Sequence, residues 1–166
     1  MADKSSFTPE QWKLLLESAM MAGIAVTAAE PSGLWRVLKE SFASGSALSQ
    51  AKTDPGSNPL IKAVAADFET AEGQRAARDG LREKLVGSKP AEIKAQCIET
   101  LRQAGAVVAA KAPGDAAAFK AWLHNISQHV ADAAREGGFL GIGGVLVSEA
   151  EKATLTEISD AIGLAP

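Results

Sequence analysis

Along most of this chain apolar residues return every three or four positions, the spacing of a helix with one buried stripe. Thr8, Pro9 and Gln11 supply an N-cap, a first-turn proline and the third-position partner of a capping box, and the helix they open is expected to run to about Ala29. Leu34, Trp35, Leu38 and Phe42 mark a second helix, and the polar stretch "GSALSQAKTDPGSNP" after it reads as a long loop. Asn58 and Pro59 repeat the cap-plus-proline pattern, with Leu60, Ile61, Val64 and Phe68 lining a third helix. A short fourth carries Leu81 and Leu85. A fifth begins near "SKPAE" and turns Ile93, Cys97, Leu101 and Val108 inward. The sixth opens at Asp115, gathers Phe119, Trp122, Leu123, Ile126, Val130 and Ala133 on one face, and closes at Gly137. The seventh starts from Ser148 and Glu151 as a second capping box, buries Leu155, Ile158 and Ile162, and ends before Gly163. The pattern predicts an all-α fold: a single domain over residues 1–166, built as a bundle of about seven helices.

Composition narrows the partners. Seventeen basic and twenty acidic residues are interspersed and leave a net charge of −3, so no field suited to a nucleic-acid backbone is expected. The longest charge-free run of the first helix, residues 18–29, falls well short of the roughly 20 residues a membrane-spanning helix needs, and no membrane association is expected. Cys97 is the only cysteine, which excludes an internal disulfide and fits a reducing, cytoplasmic setting. Its place on an inner helical face makes it a buried structural residue.

Two segments echo each other. "WKLLLESAMMAGIAVTAAEPSG" and "FKAWLHNISQHVADAAREGG" share an aromatic-Lys start and an Ala-Ala, acid, Gly ending, which suggests two related helix-loop-helix units at the ends of the chain. With "AAEPSG", "AAREGG" and "VSEAEKATLTEISDAIGL", the first unit and the last third of the chain resemble the TerB-like tellurite-resistance domain. That resemblance implies an all-helical bundle in a cytoplasmic protein linked to stress, with an acidic surface for a divalent metal. The family's acidic positions fall on Glu30 and Glu136, where this chain has Glu-Pro-Ser-Gly and Glu-Gly-Gly in place of an Asp-Gly pair.

Candidate chemistry is sparse. Asn125, His129, Asp132 and Glu136 form a polar stripe on one flank of the sixth helix, and an imidazole with carboxylates at this spacing could hold a divalent ion if a facing helix added oxygen ligands. The alternative is a solvated helix edge without an ion. His124 points away from that stripe and is expected to be exposed. The glycine-rich stretch "FLGIGGVLVSEAE" lacks the Lys-Ser/Thr ending of a Walker loop and the acid spacing of a calcium loop. Its Phe139, Leu140 and Ile142 either plug the gap between the sixth and seventh helices or stay exposed as a partner-docking patch. No nucleophile-base pair emerges and no catalytic residue or cofactor beyond that possible metal is assigned. The leading expectation is a non-enzymatic helical module that binds a protein partner. The rivals are a divalent-metal-binding protein using Asn125, His129, Asp132, Glu136 and Glu30, and, more remotely, a hydrolase.

Overall fold

The structure, a computed structural model, describes residues 2–29, 57–136 and 149–164, the side chains of 133–136 excepted. Among these residues the fold is all-helical: a 3₁₀ turn at Lys4–Ser6, then α1 (Pro9–Ala28), α2 (Pro59–Phe68), α3 (Ala71–Leu85), α4 (Pro90–Lys111), α5 (Pro113–Glu136) and α6 (Glu149–Ile162). Their positions match the predicted helices except the second, whose Leu34, Trp35, Leu38 and Phe42 lie outside the described residues, as do the expected closing Gly137 of the sixth and the Ser148 cap of the seventh.

Local chemistry sets the helix starts. Thr8 Oγ1 accepts from Gln11 N at 3.2 Å while the Gln11 side chain accepts from Thr8 N at 3.0 Å, so two orphan donors of α1 are satisfied together. Asn58 caps α2 and Thr70 caps α3. At the start of α4, Glu92 accepts from Lys89 N at 2.9 Å. The expected start of the sixth helix moves two residues back. Pro113 takes the first turn of α5, where its missing N–H costs nothing, and Asp115 N donates to Ala112 O inside that turn. This frees the Asp115 carboxylate to bind elsewhere.

Helix α1 is the centre of the molecule. From Leu15 to Thr27 every residue except the half-buried Met20 is buried, and each of the other five helices packs against it. A helix apolar on all sides finds its stable place inside a bundle. The charge-free run expected to be too short for a bilayer is thus the core helix, and no helix of the described residues is long and apolar enough to cross a membrane. Around α1 the core gathers Leu60 and Val64 of α2, Leu101 and Val108 of α4, Phe119 and Leu123 of α5, and Ile158 and Ile162 of α6. Helix α3 adds only Ala77 to the buried apolar cluster.

Candidate functional site

Among the buried and half-buried carboxylates of the described residues, Asp67, Asp115 and Glu17 each join segments far apart in sequence. Asp67, near the end of α2, accepts from the Trp12 indole at 2.7 Å and from Lys4 Nζ at 3.1 Å. Trp12 itself is buried against Phe7, with ring centroids 5.8 Å apart. Asp115 accepts from Asn58 Nδ2 at 2.7 Å and from Ala2 N at 3.2 Å, so one side chain ties the start of α5 to the cap of α2 and to the chain before α1.

The third carboxylate is the most deeply placed. Glu17 is 3% exposed on α1 and accepts from Lys84 Nζ of α3 at 2.5 Å, with Lys13 Nζ 3.8 Å away. Helix α3 reaches this carboxylate because it crosses α1 at Gly80. A Cβ at that position would collide with the Glu17 carboxyl group, so glycine is what makes the approach possible. One turn along α1 from Glu17, the Met21 thioether lies 3.2 Å from the Cys97 thiol of α4. Burial pushes the Cys97 thiol up to about 12, with the nearby Lys84 charge pulling in the opposite direction. At neutral pH the thiol is protonated and a poor nucleophile. The cluster Glu17, Lys84, Met21 and Cys97 is therefore a paired charge beside a protonated thiol, between α1, α3 and α4, with Lys84 half-exposed at its edge.

The flank of α5 runs as its periodicity requires. Asn125 and His129 are exposed, and the half-buried Asp132 accepts from Gln128 Nε2 at 3.2 Å. Among the described residues no three His, Cys, Asp or Glu side chains come together as a metal-holding group. Glu30 and the Glu136 side chain, together with Phe139, Leu140 and Ile142, lie outside the described residues. His124 is half-buried rather than exposed. On the core side of the same helix, Ser127 Oγ donates to the Ala22 carbonyl at 2.8 Å and couples α5 to α1, while the buried Trp122 indole N–H has no acceptor among the described residues.

Sequence reasoning did not single out Glu17, Lys84 or Asp67, and named Asp115 only as the start of the sixth helix. The one available clue for Glu17 is position: it stands immediately before the charge-free run of α1, on a helix with too little polar surface to keep any side in water.

What the described residues define is an all-helical bundle around a central apolar helix, fastened by buried carboxylates. Comparison with protein-family models, with curated proteins and with solved structures finds no match for this chain.

Proposed function

We propose that this chain is a non-enzymatic helical module that binds a protein partner. The observation that carries this reading is the use made of its interior carboxylates. Glu17, Asp67 and Asp115 are each engaged in joining segments far apart in the chain, so these shielded carboxylates build a scaffold and leave recognition to the surface. The outward side of α3 offers such a surface. Arg75, Arg78 and Arg82 fall on one row at steps of three and four, all exposed, and none forms an ion pair with another described residue. Guanidinium groups are enriched at protein interfaces because they make directional, bidentate hydrogen bonds to carboxylates. The resemblance to TerB-like domains suggests a stress setting, and a single buried cysteine suits the cytoplasm.

The test is affinity capture with the full chain, comparing it with the Arg75→Glu, Arg78→Glu, Arg82→Glu triple variant and identifying retained proteins by mass spectrometry. A partner held by the parent and lost by the folded triple variant is the expected result. A parent chain that retains nothing the variant fails to retain overturns the reading. A thermal-shift panel of magnesium, calcium, manganese and zinc runs beside it. Stabilisation of roughly 2.7 kcal/mol at 100 times the dissociation constant, abolished by His129→Ala and Asp132→Ala, would install the metal-binding reading in its place.

A further inference from the structure

From residue 81 to residue 96 not one side chain is buried, although this stretch includes the end of α3, the turn into α4 and the first two turns of α4. Val86 at the turn is 75% exposed, and a Cβ on its neighbour Gly87 would touch nothing within 4 Å. Gly87 has φ +81, so this corner turns through a left-handed residue in open space. Apolar contact there is limited to the half-buried Leu81, Leu85 and Ile93, which rest on the edge of the core, and charge supplies the remaining hold. Lys84 reaches Glu17 inside the bundle, Glu83 lies 3.4 Å from Lys13 of α1, and Lys94 lies 3.0 Å from Glu157 of α6. The two ends of the stretch are anchored differently. On one side Gly80 is pressed onto Glu17 and Gly73 onto the Asp67 carbonyl, and on the other Cys97 and Ile98 enter the core.

We infer that residues 81–96 form a flap, hinged at Gly80 and Cys97 and latched by the Lys84–Glu17 ion pair, that opens while the rest of the bundle stays folded. The physical reason is the imbalance of contacts. Elements that bury little apolar surface open locally at a free energy below that of global unfolding, because most of the core survives the opening. Lifting the corner removes Lys84 from Glu17, Lys94 from Glu157 and the half-buried Leu81, Leu85 and Ile93 from the core edge, while Leu15, Leu101, Phe119 and Ile158, the fully buried centre, lie outside the lifted stretch. It opens one side of the strip of α1 that carries Glu17 and Met21, with Cys97 opposite. The two more exposed bridges weaken with salt, since Lys13 and Glu83 are 36% and 73% exposed and Lys94 and Glu157 are 29% and 46% exposed.

Native-state hydrogen exchange and thiol labelling test this on the full chain. Amides of 81–96 are expected to exchange at least tenfold faster in Lys84→Met than in the parent, with amides of α1 and α5 unchanged, and Cys97 is expected to react with a disulfide reagent faster by a similar factor. Glu157→Gln and 1 M sodium chloride should move the same amides in the same direction by a smaller factor. Because Lys84→Met leaves a buried carboxylate short of its main partner, it could loosen the whole molecule. Equal acceleration in α1, α5 and the corner would show that and would overturn the flap. Corner amides that keep the parent rate in both Lys84→Met and Glu157→Gln would overturn it too.

Discussion

Gly80 and Glu17 together carry a prediction about sign. An alanine is a better helix residue than glycine by about 1 kcal/mol, yet here its methyl group would enter the space of the Glu17 carboxylate. Gly80→Ala is therefore expected to destabilise the chain by about 1–3 kcal/mol, as overpacking does. In a Glu17→Ala background, with the obstruction gone and Lys84 free to turn to water, the same change should be neutral or stabilising. Urea unfolding of the four-member cycle checks this, and a Gly80→Ala cost that persists without Glu17 would contradict the collision. Cys97 carries a second prediction, about pH. Its folded value of about 12 lies above the ordinary 9.0, so between these limits the unfolded chain has released a proton that the folded chain retains. Stability from this group is complete below pH 9 and is lost as pH rises toward 12, with a slope of up to about 1.4 kcal/mol per pH unit. Cys97→Ala should remove that share of the alkaline loss, which unfolding midpoints measured from pH 8 to pH 11 would reveal.

Helices in this protein begin where short-range chemistry says they should and are placed by contacts that short-range chemistry cannot see. Thr8, Asn58 and the prolines beside them announce α1 and α2 within three or four residues of sequence, which is why the sequence pattern locates them. The stripe of Phe119, Leu123 and Ile126 likewise follows from the helical period and is buried as expected. Asp67 with Trp12 is 55 residues apart, Glu17 with Lys84 is 67, and Asp115 with Ala2 is 113. Such pairs arise from packing, so no periodicity could name them. The polar flank of α5 shows the same boundary. Its alignment of Asn125, His129 and Asp132 was readable from the period, while the Gln128 bond to Asp132 depends on side-chain geometry that the period leaves open. Asp115 gives this a test. Asp115→Ala strips the Asn58 amide and the Ala2 N–H of their acceptor without touching the apolar face of α5, and should cost about 1–3 kcal/mol. Circular dichroism with helix content unchanged and a lowered unfolding midpoint is the expected pair of observations.

At the scale of the whole molecule, the described residues form one apolar cluster to which all six described helices contribute, with Phe119 at 0% exposure among its largest members. Phe119→Ala should therefore cost about 3–5 kcal/mol, whereas Val86→Ser on the exposed corner should fall within about 0.5 kcal/mol of the parent. Guanidinium unfolding would distinguish them, and a comparable loss in both would contradict a core that excludes the corner. The central position of α1 has a consequence for synthesis. This helix precedes in the chain every other described helix that packs against it. Until α4, which of the described helices covers it most extensively, has been synthesised, α1 lacks most of its apolar cover and presents the kind of transient surface that captures chaperones and seeds aggregation. Slowing translation between α1 and the end of α4 at Lys111 should thus lower the yield of native protein more than the equilibrium stability of the finished fold would suggest.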